Sequence, residues 1–185
     1  MATDMSLSTQ NKRRTALDRV RELCVFAMLG TLMFCSKIVM ELLPNLHILG
    51  TLVMVYTVVY RVKALVPVYV FVFIAGLYAG FAPWWVPYLY IWLPLWGLTM
   101  ILPRKMPTVV ACAVYPIVCS LHGFAYGILY APAQAIMFGL DFKGMVAWVI
   151  AGFYFDLIHG FGNIVMGMLV YPLSKVLGKI AKRSR

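Results

Sequence analysis

The chain is 185 residues long, 63% hydrophobic and 12% charged, with a net charge of +10. A soluble domain is about 25% charged, and one this small has too much surface to cover with so few polar groups. Composition therefore excludes a soluble core and predicts one all-α, polytopic membrane domain. The basic excess is read as orienting flanks that face anionic lipid. No nucleic-acid partner is expected, because no basic run is interleaved with exposed aromatics in a polar module.

Residues 1–22 form a basic segment whose first part is polar and expected to lack fixed structure. Thr15 with Asp18 has the spacing of a capping box, which would start a helix at the membrane surface. No cleavable signal peptide is expected, since the first apolar run is about 20 residues long with no small-x-small site behind it. Six transmembrane helices are predicted within residues 23–173. Span one covers 24–43 and runs outward. Pro44-Asn45 turns the chain, and span two returns over 46–60. Span three covers 64–82, with Pro67 near its start, where a missing N–H is tolerated. Residues 83–87 are an aromatic outer loop, and span four, 88–102, is short and interrupted by Pro94. An inner basic turn at 103–107 leads to span five, 108–130, with Pro116 inside it. Residues 131–144 are the longest outer connection. Span six covers 145–171, where Pro172 ends or kinks it, and residues 174–185 form a basic tail. Spans two and four reach about 22 Å as helices, less than the ~30 Å of a bilayer core.

Of the 16 Lys and Arg, all but Lys37 and Lys143 fall in the two tails and the even-numbered connections, the latter as Arg61 with Lys63 and Arg104 with Lys105. That bias predicts both termini in the cytoplasm. Cys24, Cys35, Cys112 and Cys119 lie in apolar runs without a C-x-x-C pair or a histidine at zinc-ligand spacing, so no metal site is expected.

Polar residues inside spans are the first functional suspects. At 100° per residue, Gly152, Asp156, His159, Gly160, Asn163 and Gly167 share about a third of the span-six circumference. This intramembrane seam serves either a ligand or close interhelical packing. Lys37 and Glu41 are four residues apart and can pair; Asp156 is another possible partner for Lys37. Asn45 and His47 follow at the outer turn. His122, Tyr126 and Tyr130 recur every four residues on one face of span five. Trp84, Trp85, Tyr88, Tyr90, Trp92 and Trp148 gather toward the outer boundary, as an aromatic belt or as a cup for a large, partly apolar ligand. Ala27, Gly30 and Thr31 give span one a small-residue patch that lets a partner helix approach. No phosphate loop is present, since Gly178-Lys179 is followed by Ile180, and no H-E-x-x-H or G-x-S-x-G occurs.

The size, six spans, two basic ends, and the runs Pro44-Asn45-Leu46-His47 and Phe155-Asp156-Leu157-Ile158-His159-Gly160 together resemble the S component of energy-coupling factor (ECF-type) ABC vitamin transporters. The family's Ala-xxx-Ala docking motif is matched here by Ala27-xxx-Thr31, with Gly30 beside it. The resemblance implies a multi-pass protein of the bacterial plasma membrane that captures one vitamin from outside. It implies a transmembrane coupling subunit and two ATPase subunits as partners, which would use ATP and Mg; the chain itself would be no enzyme and hold no cofactor. The expected substrate contacts are Lys37, Glu41, Asn45, His47, Trp84, Trp85, Tyr88, Tyr126, Tyr130 and Gln134. The scarcity of outer basic groups disfavours a polyanionic ligand, and the run of the sequence looks closest to the cobalamin-specific branch, so cobalamin is the expected ligand and pantothenate the alternative. Two other classes stay open: a stand-alone ion-coupled carrier or channel using Lys37, Glu41 and Asp156, and an intramembrane enzyme with Asp156 and His159 as acid and base.

Overall fold

A computed structural model describes residues 2–42 and 47–183. Eight α-helices follow in order: α1 (Ala2–Met40), α2 (Leu49–Tyr60), α3 (Leu65–Ala79), α4 (Trp92–Ile101), α5 (Thr108–Phe124), α6 (Tyr126–Phe138), α7 (Phe142–Gly167) and α8 (Val170–Arg183). Short 3-10 helices at Arg61–Ala64 and Pro83–Leu89 link α2 to α3 and α3 to α4, and no strand occurs among the described residues. By length and composition, four helical stretches can cross a membrane: Ala16–Met40, Leu49–Ala79, Thr108–Phe138 and Phe142–Gly167. The exterior is apolar. Leu32, Phe73, Val109, Ile136 and Phe153 are all exposed, an arrangement suited to lipid and unsuited to a water-soluble monomer.

Several expectations need correction. Residues 2–14 are helical, and α1 runs unbroken through Thr15, so no capping box starts it there. Residues 131–144 are not an open connection. They are mostly α6, and only the left-handed Gly139 (φ 65°) and the two residues after it separate α6 from α7. Asp141 then caps α7, accepting the Gly144 N–H at 2.7 Å. Pro94 does not interrupt α4; it lies in the first turn, where its missing N–H costs nothing. Pro172 occupies the same kind of position in α8.

α2 is the hub. Every residue from Leu49 to Thr57 is buried, as expected of a helix that is apolar all round. Helices α4, α5, α7 and α8 surround it, while α1 packs mainly on α3. The most extensive pairing is α5 with α7, and glycine makes it possible. A Cβ on Gly123 would stand 2.8 Å from the His159 carbonyl and 2.9 Å from Gly160 Cα; one on Gly167 would stand 2.7 Å from Pro116 Cα. Small residues bring the backbones together where the apolar solvent supplies no hydrophobic drive.

The basic residues collect at one end of this bundle. Lys63 Nζ meets Glu22 of α1 at 2.6 Å. The Arg61 guanidinium donates to the Met100 carbonyl at the end of α4. Arg104 and Lys105 line one groove with Lys175 and Lys182 of α8.

Overpacking the α5–α7 contact is expected to destabilise the fold by about 1–3 kcal/mol. Gly123→Leu should lower the thermal unfolding midpoint of the detergent-purified chain. Gly152→Ala, where a Cβ meets nothing within 4 Å, should leave it unchanged or raise it. Equal effects of the two would contradict this packing.

Candidate functional site

A cavity of about 210 Å³ opens at the end away from the basic residues. Lys37 and Glu41 enter it from the end of α1, His47 from the α1–α2 connection, and Leu49 and Gly50 from the start of α2. Tyr88 comes from the 3-10 helix before α4, Trp92 from α4, His122 from α5, Tyr126 from α6, and His159 with Asn163 from α7. Every helix of the bundle except α3 and α8 thus contributes.

The wall is a run of rings. Tyr88 meets Trp92 edge-on at 5.7 Å, and Trp92 stacks on His122 at 5.9 Å. His122 meets Tyr126 at 6.2 Å, Tyr126 lies flat on His159 at 4.9 Å, and His159 faces His47 at 5.3 Å. The i,i+4 spacing of Tyr88 with Trp92 and of His122 with Tyr126 produces two of these contacts. A carbonyl can only accept, so the 2.8 Å contact of His122 Nε2 with Ile91 O places the proton on Nε2.

Lys37 is paired with Glu41, as their spacing predicts, and not with Asp156. The two formal charges of the lining therefore cancel. Burial pushes the His47 imidazole below its ordinary value, the Lys37 ammonium pushes it the same way, and Glu41 opposes. Two buried lining atoms, His47 Nδ1 and Trp92 Nε1, have no hydrogen-bond partner among the described residues. Buried polar groups are nearly always paired, so these two are the atoms a polar ligand would satisfy. Trp92 Nε1–H can only donate; it asks for an acceptor.

The expected substrate contacts divide. Lys37, Glu41, His47, Tyr88 and Tyr126 line the cavity. Trp84, Trp85, Tyr130 and Gln134 do not; Asn45 lies outside the described residues. Trp84 and Tyr130 stand one layer back. The Tyr130 hydroxyl donates to the Trp84 carbonyl at 3.0 Å, and their rings buttress Tyr126 and Tyr88. Trp85 is tied to α3 through its Nε1–H to the Val72 carbonyl at 2.8 Å. Trp92, His122, Leu49 and Gly50 belong to the lining although they are not among the expected contacts. Helical phase with Tyr88 and Tyr126 is a signal for the first two; nothing in the sequence marks the others.

The α7 seam also divides. His159 and Asn163 reach the cavity, and Asn163 donates to the Cys119 carbonyl at 3.2 Å. Asp156 holds the fold together instead, accepting the Gly127 N–H at 3.0 Å in the first turn of α6. A Cβ on Gly127 would come within 2.2 Å of that carboxylate, so the contact requires glycine. In the expected docking patch, Ala27 and Thr31 are exposed on α1. Gly30 is not: its missing side chain admits Val70 of α3, whose Cγ1 would stand 2.5 Å from a Cβ. Gly30 therefore packs α1 on α3 and presents no outer face. Among the described residues no three His, Cys, Asp or Glu side chains are placed so that they could hold a metal ion.

Compared with known proteins, the chain matches no family model, no curated protein and no solved structure. What the fold and the site define is an all-helical protein with membrane-length apolar helices and one polar-aromatic cavity between their ends.

Removing the Asp156 acceptor leaves the Gly127 N–H unpaired, at a cost of about 1–3 kcal/mol. Asp156→Leu is expected to lower the thermal midpoint clearly, and Asp156→Asn, which keeps an acceptor oxygen, to recover most of the loss. A midpoint equally low in both would point to the charge and not the hydrogen bond.

Proposed function

We propose that this chain is the substrate-binding subunit of an ECF-type vitamin transporter, crossing the bacterial plasma membrane six times with both termini in the cytoplasm. It captures a small vitamin from outside and delivers it inward with a transmembrane coupling subunit and two ATPases that use Mg-ATP. The observation that carries this reading is the placement of the cavity at the end of the bundle opposite the basic residues. Under the positive-inside bias that end faces out. Two passes over Leu49–Ala79 are supported by the backbone at Arg61, whose φ of 58° takes the chain out of helix between α2 and α3; with the other three apolar stretches this makes five, and α4 is the sixth. The stretch Leu49–Ala79 has 31 residues, about 46 Å as one helix, more than a single pass needs.

The ligand is read from volume and donors. Drug-sized pockets measure ~300–1,000 Å³, and this one measures about 210 Å³. Cobalamin exceeds that range. Pantothenate fits the volume better, and its carboxylate and amide carbonyl suit the Lys37 ammonium and the Trp92 Nε1–H. The exposed pair Ala27 and Thr31 remains the surface for the coupling subunit.

Isothermal titration of the purified chain is expected to show binding of pantothenate. A hydrogen bond to a charged group is worth about 1.5–3 kcal/mol, so Lys37→Met should weaken that binding by about tenfold or more. Trp92→Phe should also weaken it, and Gln134→Ala should change it little. The tagged chain expressed in its native host should co-purify an ATPase pair. Binding of cobalamin alone would overturn the ligand choice; no vitamin heat and no ATPase would favour a stand-alone carrier.

A further inference from the structure

At the basic end, the turn between α4 and α5 and the body of α8 enclose a second groove of about 380 Å³. Arg104 and Lys105 line it from the turn, and Lys175 and Lys182 from α8. Among the described residues no acidic side chain lines it. The ion pairs among the described residues are Lys37–Glu41 and Lys63–Glu22, so no described carboxylate pairs with any of these four cations. Four like charges around one groove repel one another unless an anion lies between them. A second observation points the same way. Ser174 lines the groove, is only 9% exposed, and its Oγ has no hydrogen-bond partner among the described residues. The hydroxyl beside it, on Tyr171, is already engaged by Thr108 at 2.7 Å. A buried hydroxyl without a partner is uncommon, and an anionic oxygen would accept a hydrogen bond from it.

The level of the groove identifies the source of that anion. The apolar stretch Thr108–Phe138 begins here, and Phe142–Gly167 ends just before α8. The groove therefore lies where hydrocarbon gives way to headgroups. Val58 and Val59 supply an apolar wall beside the cations. On α8, Lys175, Lys179 and Lys182 are spaced to share one face, the pattern of a helix lying in a membrane interface. Basic pockets between membrane helices hold anionic headgroups.

We propose that this groove binds the headgroup phosphate of an anionic phospholipid, with Arg104, Lys105, Lys175 and Lys182 as the charge partners and the Ser174 hydroxyl as a donor. The site is separate from the ligand cavity. It requires only that the chain lie in a bilayer, and it stands whether or not the chain serves a transporter.

The test is native mass spectrometry of the delipidated full chain offered equal phosphatidylglycerol and phosphatidylcholine, with glycerol 3-phosphate in a parallel arm. Phosphatidylglycerol should be retained about tenfold or more over phosphatidylcholine, and glycerol 3-phosphate should neither bind stably nor displace it. Each cation removed should weaken retention about fivefold, so Lys175→Gln with Lys182→Gln, both at exposed positions, should lose most of the preference with the thermal midpoint unchanged. Ser174→Ala should weaken retention several-fold. Equal retention of the two lipids, or undiminished retention in the double variant, would overturn the site. Tight binding of glycerol 3-phosphate without acyl chains would overturn the lipid and leave a soluble phosphate ester as the ligand.

Discussion

Where a helix breaks inside hydrocarbon, no water takes up the freed N–H groups, and a protein acceptor has to be brought to them. The apolar stretch Thr108–Phe138 breaks at Ala125, and α6 restarts one residue later. Asp156 of α7 accepts the Gly127 N–H at that point. Its carboxylate also lies at the positive end of the α6 dipole, where a negative group is favoured. The contact is possible because residue 127 has no side chain and because Gly123 and Gly160 let α5 and α7 approach this closely. The position of α6 depends on it. So, through α6, does the placement of Tyr126 flat against His159, which forms one wall of the cavity.

Charge is sorted along the bundle with two results. At one end, cations with no carboxylate partner among the described residues surround a groove. At the other, one lysine and one glutamate neutralise each other beside rings and two unpartnered polar atoms. The second arrangement suits a ligand taken up and released, since it holds no strong uncompensated field. On the proposed reading, affinity there would come from apolar contact and a few hydrogen bonds, that of Lys37 among them. The first arrangement suits a permanent lipid neighbour, held by several charges at once.

Local spacing is legible in the sequence, and contact between distant segments is not. The all-helical apolar class, the Lys37–Glu41 pair and the buried side of α7 all follow from periodicity, because residues three or four apart share a face whatever the tertiary context. Three of the four seam residues found buried, Gly160, Asn163 and Gly167, lie against α5 as their phase suggests. Periodicity does not say which neighbour a face meets. Gly30 reads as an outward surface and instead packs on Val70. Trp84 and Trp85 suggest a cup because they are aromatic and close to an apolar boundary, yet their rings brace α3 and Tyr88. Residues 131–144 read as a loop because Pro132, Gln134 and Asp141 stand in it. Pro132 is nevertheless tolerated inside α6. The approach of His47 to His159 joins residues more than a hundred positions apart, and no local pattern encodes it.

Orientation decides whether the cavity is a place of capture. In a chain whose Cys24, Cys35, Cys112 and Cys119 are replaced by serine, single substitutions Gln134→Cys and Lys105→Cys can be probed in intact bacterial cells with a membrane-impermeant maleimide. Gln134 lies on α6 beside the cavity end, and Lys105 lines the basic groove. Capture from outside predicts labelling of the first in intact cells and of the second only after the membrane is permeabilised. Labelling of the Lys105 position in intact cells, with the Gln134 position protected, would turn the cavity toward the cytoplasm and contradict uptake by this chain.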